Sequence, residues 1–231
     1  MAEREIKRKL ISTFETVDNQ KVEVFSLVTE DFDLVFGFYE SEIARLANKA
    51  DFYPYKDSEI KSILSGGGVF LGGFIGGELC GLCAIDFDSE YQVGVKKANE
   101  NFPSFPFEDD ILEFSGLFVS EKFRKLGISS KMSDVLLQVA GEVRKNSRLF
   151  AVVLESNIPS MKNFFSKGFK LYGWWQMDEE YKFVYLISPK AGEKSEANGT
   201  ERVVVKAGDI VEALKSGSVF CGVDGEGRFL R

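Results

Sequence analysis

The chain has 231 residues, of which 44% are hydrophobic and 28% charged, which is typical of one folded domain or one domain with an appendage. It contains no histidine, which excludes Ser–His–Asp triads, Cys–His nucleophiles and His-ligated zinc. A net charge of −7 disfavours a general nucleic-acid binder and is compatible with a cationic substrate such as an amine.

The N-terminal sequence, the lengths of the apolar runs and the number of cysteines argue against a secreted protein, a membrane-spanning protein and a zinc site. The stretch MAEREIKRKL is charged and lacks the apolar core of a signal peptide. No apolar run approaches the roughly 20 residues of a membrane span. We therefore expect a cytoplasmic protein that binds neither membrane nor nucleic acid. Three cysteines cannot form a four-cysteine zinc site, and we predict no metal site.

The first 20 residues are a polar lead-in, which we expect to add a strand or a helix. The rest of the first half of the chain shows strand and helix patterns. Its apolar spacing predicts a strand, two helices and a hairpin. In chain order these are the strand Lys21–Val28, a helix from Thr29 or Asp31 to about Ala47, a short helix beginning at Asp57 or Ser58, and the strands Val69–Ile75 and Glu78–Phe87. Glycines are frequent in the hairpin, but neither phosphate-loop consensus is present there, so they are interpreted as turn and strand residues.

The second half begins with a polar insertion, residues 88–110, that contains a short helix around Val93–Asn101. Strands and helices then alternate up to residue 188. They are the strand Ile111–Val119, a helix from about Ser129 to Lys145, the strand Leu149–Glu155, a helix capped by Asn157, and the strands Phe169–Trp175 and Tyr181–Ile187. Residues 189–231 are a linker and a small C-terminal extension, with too few apolar residues to fold alone.

The most informative stretch is Ile111–Ser129, which reads ILEFSGLFVSEKFRKLGIS. An apolar strand leads into a basic loop with a glycine, and a helix follows directly. The free amides of the first helical turn and the positive end of the helix dipole both face such a loop. The stretch therefore predicts a phosphate-binding site.

Two motifs in this order resemble the GNAT family of N-acetyltransferases. The family has R/Q-x-x-G-x-G/A after an apolar strand, and this chain has Arg124–Ser129, with serine in the final small position. The family then has N-x-x-A-x-x-x-Y-x-x-x-G-F, to which Asn157, Ser160, Phe164, Gly168 and Phe169 correspond. The resemblance covers residues 21–188 and implies an α/β (α+β) fold, with a mixed central β-sheet flanked by helices and a short C-terminal appendage.

The resemblance also implies acetyl-CoA (coenzyme A) as cofactor. The loop would hold the pyrophosphate, and Lys122 can reach the adenosine phosphate. The strand end would pair with the pantetheine amides, with the Val119 amide polarising the thioester carbonyl. Asn157 and the ring of Phe164 would approach the acyl arm from the second helix. The expected cofactor-binding residues are Leu117, Phe118, Val119, Arg124, Lys125, Leu126, Gly127, Ile128, Ser129, Asn157 and Phe164.

Catalysis in this family needs a base for the amine and a proton for the departing thiolate. Glu113 is the expected catalytic base, acting through water, because it is an acidic residue in an apolar strand. Glu108, Asp109 and Asp110 are alternative bases. The competing interpretation is structural: Glu113 merely occupies the exposed start of the strand. The family's acid is the motif tyrosine, here Phe164, so Tyr172 or solvent would have to protonate the thiolate.

These features give three alternative functions. The first is acyl transfer from acetyl-CoA to a primary amine of a small molecule, which would lie between the loop Asp51–Lys56, the insertion and the last strands. The other two are a protein or peptide N-acetyltransferase and a non-catalytic acyl-CoA-binding module. The oligomeric state stays open, with a homodimer as one arrangement. Aromatic residues that can line the substrate site are Tyr53, Tyr55, Tyr91, Trp174 and Trp175.

Overall fold

The computed structural model describes residues 8–46, 52, 54–87, 100–106, 111–176, 182–189, 204–205, 209–224 and 228–230. The chain divides into two compact units. Unit 1 comprises Met1–Asp88 and Phe114–Glu142, and unit 2 comprises Ser89–Glu113 and Val143–Arg231. The helix expected around Val93–Asn101 falls almost entirely outside the described residues, as do Tyr53, Tyr91 and the acidic residues 108–110.

Unit 1 contains an antiparallel run of four strands, each hydrogen-bonded to the next. They are β1 (Lys9–Glu15), β2 (Lys21–Ser26), β3 (Gly68–Ile75) and β4 (Glu78–Asp86). Its helices are α1 (Phe32–Ala44), α2 (Asp57–Ser62) and α3 (Ile128–Val143). The lead-in is thus a strand over Lys9–Glu15. Helix α1 ends at Ala44, earlier than predicted, because the Arg45 N–H turns to the carbonyls of Glu42 and Ile43.

The β3–β4 hairpin confirms the interpretation of its glycines. Gly76 and Gly77 form the turn, with φ angles of 57° and 85°. Two consecutive residues with positive φ define the turn type that best matches the twist of paired strands, and glycine adopts that conformation without strain. The glycines therefore close a hairpin.

Strand β5 (Ile111–Val119) starts in unit 2 and ends in unit 1. Its first three residues pair in parallel with β6 (Arg148–Leu154). In unit 2 the antiparallel strands β8 (Lys182–Ile187) and β7 (Lys170–Gln176) follow, and α4 (Ile158–Ser166) connects β6 to β7. The hydrogen-bonded order is β1-β2-β3-β4-β5-β6-β8-β7. The predicted element order and the mixed sheet flanked by helices are confirmed.

The core of unit 1 is aromatic around the end of β5. The buried Phe118 side chain meets the ring of Phe52 edge-on, with ring centres 4.9 Å apart. The Tyr39 ring of α1 stacks on Phe52 at 5.6 Å and meets Phe118 at 6.4 Å. Such edge-to-face pairs add to the free energy gained from burying the rings. The C-terminal half of β5 is therefore held against α1.

The C-terminal extension packs within unit 2. It forms β9 (Val204–Val205), α5 (Ile210–Lys215), β10 (Gly222–Val223) and β11 (Phe229–Leu230), with the strand order β10-β11-β9. Phe220 exchanges two backbone hydrogen bonds with Leu171 of β7, at 2.7 and 3.2 Å. The side chains of Phe220 and Phe229 are fully buried, with ring centres 5.9 Å apart. None of the helices in the described ranges is long and apolar enough to cross a membrane.

Replacing Phe220 by alanine is expected to lower the free energy of unfolding by about 3–5 kcal/mol, because the ring leaves a buried cavity next to β7. Urea denaturation followed by circular dichroism measures the change. Lys215→Ala in the same extension is the control, since its side chain is 52% exposed and the loss should stay below about 0.5 kcal/mol. Equal stability of the two variants would contradict this packing.

Candidate cofactor-binding site

The loop between β5 and α3 leads directly into a helix N-terminus. The carbonyl of Gly127 accepts the first helical hydrogen bond, from the Lys131 N–H at 3.2 Å, so α3 begins at Ile128. The amides of Ile128, Ser129 and Ser130 are therefore first-turn donors that the helix itself does not use. The Ile128 side chain is buried and anchors this turn. The arrangement presents amides and a positive dipole end to an anion.

The loop backbone is sharply bent. Lys125 and Gly127 have φ angles of 66° and 78°, in the left-handed region. A Cβ atom at Gly127 would meet only the Val17 side chain, at 3.6 Å, so the conformation and not the space favours glycine there. The carbonyl of Leu126 accepts a hydrogen bond from the Val17 N–H at 3.2 Å. Because the two groups of a trans peptide point in opposite directions, the Gly127 N–H points away from Val17.

The basic side chains of the loop differ in their contacts. Arg124 is exposed, its Nε donates to the Val119 carbonyl at 3.3 Å, and its guanidinium lies 5.7 Å from the Phe118 ring centre. Lys125 is exposed at the bend. The Lys122 ammonium pairs with the Glu78 carboxylate at 2.6 Å, so the expected approach of Lys122 to a phosphate competes with this pair. Both partners are exposed, and such a pair contributes little stability.

The backbone of β5 alternates in direction at its end. The Ser120 N–H donates to the Cys80 carbonyl of β4 at 3.0 Å, and the Phe118 carbonyl also faces β4, beside Gly81. Neighbouring residues of a strand direct their peptide groups to opposite sides. The N–H and carbonyl groups of Leu117 and Val119 therefore point away from β4, which agrees with the Arg124 contact to Val119. Phe118, predicted to pair with the cofactor through its backbone, instead directs that backbone to β4.

A glycine inside β5 receives a contact from α1. Gly116 has a φ angle of 60°, and its carbonyl accepts a hydrogen bond from the Tyr39 hydroxyl at 2.6 Å. A Cβ atom at this position would lie 2.5 Å from that hydroxyl oxygen, so both conformation and space require glycine. Burial raises the pKa of Tyr39 well above its usual value of 10.0, with smaller effects from Tyr55 and Cys83. The phenol therefore stays a hydrogen-bond donor.

Glu42 is a buried acidic residue on α1 that sequence reasoning missed. It is 2% exposed and accepts hydrogen bonds from the Ser120 hydroxyl at 2.9 Å and from the Glu121 N–H at 2.8 Å. The Arg45 guanidinium lies 2.6 Å from the same carboxylate. A signal was present, because Val35, Tyr39 and Glu42 are spaced along one face of the predicted helix. An acidic residue on an apolar face needs a polar partner.

A cleft of about 310 Å³ lies in unit 1 next to this helix. Aromatic and aliphatic side chains line it, and Glu40 is the charged residue among the lining residues that the structure describes. The described residues that line it are Phe36, Tyr39, Glu40, Ile43, Ala44, Pro54, Tyr55 and Ile60. The Tyr55 hydroxyl donates to the Ser115 hydroxyl of β5, so one wall of the cleft is bonded to that strand. Of the aromatic residues expected to line a substrate site, Tyr55 lies here.

The other predicted residues lie in unit 2. The Asn157 side chain caps α4 by accepting a hydrogen bond from the Ser160 N–H at 3.2 Å, as the sequence predicted. Phe164 is buried and packs edge-on against Phe169, with ring centres 5.0 Å apart. Glu113 is half-buried and stands opposite Phe150 in the β5–β6 ladder.

Glu155 is a second acidic residue that the sequence did not single out. It follows the last residue of β6 and is half-buried. Burial raises the pKa of its carboxyl above the usual 4.5, opposed by the positive charge of Lys182 and by the indole N–H of Trp174. A carboxyl with a raised pKa holds its proton at higher pH than an exposed one. Its position directly after a buried strand was the available signal.

Comparison with known proteins identifies the family. Residues 29–169, more than half of the chain, match the Acetyltransferase (GNAT) family. The chain belongs to the GNAT family. GNAT proteins generally use acetyl-CoA to acylate amines, and this chain is an N-acetyltransferase of that family. No curated protein matches the sequence.

Solved structures share the GNAT fold at low sequence identity. The GNAT domain of S. lividans PAT is 19% identical, with a TM-score of 0.54 over 76% of this chain and 94% of that one. An N-acetyltransferase from Staphylococcus aureus Mu50 is 15% identical, with a TM-score of 0.53 over 72% and 96%. The ribosomal-protein-alanine N-acetyltransferase from Brucella melitensis is 14% identical, with a TM-score of 0.53 over 71% and 98%. At these identities the likeness concerns the fold.

Gly127→Ala is expected to weaken binding of coenzyme A about tenfold, because relieving the left-handed strain at residue 127 turns the loop amides. Isothermal titration calorimetry measures the dissociation constant. Gly76→Ala is the matched control, since Gly76 is also left-handed but lies in the β3–β4 turn. Both variants should lose about 1–2 kcal/mol of stability. Equal coenzyme A affinities would contradict a role for the loop backbone.

Glu155→Gln is expected to make the protein less sensitive to rising pH. The folded-state pKa of Glu155 lies above the unfolded value, so the contribution of this carboxyl to stability is fully present below the usual 4.5 and is lost as pH rises through the folded pKa. The variant lacks this loss, and its stability relative to wild type should increase over that range. Urea denaturation from about pH 4 to pH 8 measures it. Glu212→Gln, at a side chain 77% exposed, is the control. A pH-independent difference for Glu155→Gln would refute the shift.

Proposed function

We propose that this protein transfers an acetyl group from acetyl-CoA to the primary amine of a small molecule by direct attack. The observation that carries the proposal is the loop Arg124–Ser129, whose bent backbone leads into the N-terminus of α3. Two phosphates of coenzyme A need several donors at close range. The amides of the first helical turn and the hydroxyl of Ser129 are such donors. The side chains of Arg124 and Lys125 add N–H donors that carry positive charge.

The end of β5 is the proposed binding segment for the acyl-pantetheine arm. Leu117 and Val119 direct their peptide groups away from β4, so these groups are oriented to pair with the amides of an extended arm. The Val119 N–H would donate to the thioester carbonyl and stabilise the negative charge that develops there. Phe118 contributes packing through its buried ring. Asn157 and Phe164, on α4 of unit 2, are further proposed cofactor-binding residues because they occupy positions of the family's second motif.

The cleft of unit 1 supports a small amine as acceptor. Its apolar and aromatic walls suit the hydrocarbon body of such a molecule, and the exposed carboxylate of Glu40 suits its ammonium group. A volume of about 310 Å³ lies at the lower end of typical ligand pockets. We therefore expect primary amines with an apolar or aromatic body to be better substrates than polyhydroxylated or acidic ones.

The proposed reaction needs one base and one proton donor. Glu113 accepts a proton from the attacking amine through a water molecule, and the amine nitrogen forms a bond to the acetyl carbon. The carbon–sulfur bond then breaks, and the thiolate takes a proton from solvent or from Tyr172. Phe164 stands where the family's motif has tyrosine and has no proton to give.

Glu155 is the second candidate for the base. Glu113 and Glu155 lie in the same unit, Glu113 opposite Phe150 of β6 and Glu155 directly after that strand. The raised pKa of Glu155 favours it, because a carboxyl that titrates nearer neutral pH is a stronger base. The two assignments predict different variants to lose activity.

The decisive experiment measures thiol release from acetyl-CoA across a panel of primary amines. The panel includes aralkylamines, amino acids, aminoglycosides and a peptide with an N-terminal alanine. Glu113→Gln should lower kcat about a hundredfold to ten-thousandfold and leave the acetyl-CoA dissociation constant within about twofold. Glu155→Gln is assayed in parallel. A large loss in Glu155→Gln alone would transfer the role of base to Glu155.

Other outcomes favour the alternative functions. Turnover of the peptide alone would identify a protein N-acetyltransferase. Tight binding of acetyl-CoA without thiol release on any amine would identify a non-catalytic binding module. Absence of acetyl-CoA binding would overturn the proposal as a whole.

A further inference from the structure

Helix α1 bonds to both ends of the proposed acyl-arm segment, residues 117–119. On one side the Tyr39 hydroxyl donates to the Gly116 carbonyl at 2.6 Å. On the other side the Glu42 carboxylate accepts from the Ser120 hydroxyl at 2.9 Å and from the Glu121 N–H at 2.8 Å. Tyr39 and Glu42 are one helical turn apart, so a single rigid element defines both limits of the segment.

The contacts of Glu42 determine how the chain leaves β5. Its Oε1 atom accepts from Ser120 and lies next to the Arg45 guanidinium, and its Oε2 atom accepts from Glu121. The Ser120 N–H is bonded to Cys80 of β4. The bond to Cys80 fixes the peptide between Val119 and Ser120 and directs the Val119 carbonyl away from β4. The bond to Glu42 fixes the next peptide, between Ser120 and Glu121. A change at Glu42 would release the Ser120 hydroxyl and the Glu121 amide, directly after the residue proposed to polarise the thioester.

The cost of burying Glu42 indicates that its contacts do more than fill the core. An apolar side chain of similar volume would avoid the desolvation of a carboxylate, and buried ion pairs are often no more stabilising than such a replacement. Asp31, at the other end of α1, is also buried and pairs with Arg8 at 2.6 Å, but it bonds the Val28 N–H just before the helix. Asp31 thus secures the helix start, whereas Glu42 reaches the cofactor segment.

We propose that Glu42 is a positioning residue for acyl-CoA. Its carboxylate holds Ser120 and Glu121 and, together with the Cys80 carbonyl, keeps the end of β5 in the orientation that binds the thioester end of the cofactor. The inference rests on the proposed function, because it assigns a purpose to an element of the same site. Glu42 itself touches no reacting atom in this scheme and acts through Ser120 and Glu121.

The test compares Glu42→Gln with Asp31→Asn in the full chain. Both substitutions replace a buried, arginine-paired carboxylate by its amide, which keeps the volume and turns one acceptor into a donor. Calorimetry with coenzyme A and acetyl-CoA, well below the melting temperature of each variant, should show about tenfold weaker binding for Glu42→Gln. Asp31→Asn should lose stability but keep the wild-type dissociation constant. The KM for the amine should stay within about twofold in both.

A second readout needs no ligand. Amide hydrogen exchange of the peptide Leu117–Phe123 should become faster in Glu42→Gln than in wild type or Asp31→Asn. Arg45 keeps the glutamine oxygen on its own side, so the NH2 group replaces the oxygen that accepts from the Glu121 amide. Ser120→Ala provides a milder variant that removes one donor and leaves the Glu121 contact. It should weaken coenzyme A binding less than Glu42→Gln does.

Three outcomes would overturn the inference. Unchanged exchange in Glu42→Gln would show that the carboxylate does not order the segment. Faster exchange in Glu42→Gln with an unchanged affinity for coenzyme A would show that Glu42 orders the segment but has no role in binding the cofactor. An equal loss of affinity in Asp31→Asn would assign the effect to general destabilisation. If the wild-type chain does not bind coenzyme A, the proposed function fails first, and the positioning role fails with it.

Discussion

The direction of the peptide between Val119 and Ser120 is the constraint on which the rest of the site depends. Its N–H pairs with β4 and its carbonyl faces the opposite side, where Arg124 reaches it. From this point the chain must turn, bend twice through left-handed residues and enter a helix within a few residues. A rotation of this one peptide would misdirect both the strand end and the loop. The surrounding buried groups, from α1 and from β4, hold it in place.

Most of the fold followed from local patterns in the sequence. The alternation in Lys21–Val28, the Gly76–Gly77 turn and the Asn157 cap each predicted an element correctly, because each depends on residues adjacent in the chain. The strand–loop–helix arrangement at Ile111–Ser129 was predictable for the same reason. The ends of helices were harder to predict, as at Ala44, because the last turn depends on which carbonyls accept a hydrogen bond from the following amide.

The parts that sequence reasoning missed depend on contacts between distant segments. The bonds from Tyr39 to Gly116 and from Glu42 to Ser120 join residues more than 75 positions apart. The contact of Val17 with Leu126 joins the N-terminal hairpin to the loop across an even longer separation. The raised pKa of Glu155 arises from burial, which outweighs the opposing positive charge of Lys182 on another strand. No periodicity carries such information, although an acidic residue on an apolar helix face was a usable sign.

The backbone pairing of Phe220 with Leu171 limits how another chain can pair with the outer strand β7. β7 is the last strand of the order β1-β2-β3-β4-β5-β6-β8-β7, and an exposed outer strand is a template for pairing with another chain. Here the extension already occupies the backbone groups of Leu171. Another chain that added a strand at this position would first have to displace a fully buried phenylalanine. The extension therefore blocks edge-to-edge strand pairing with another chain at Leu171.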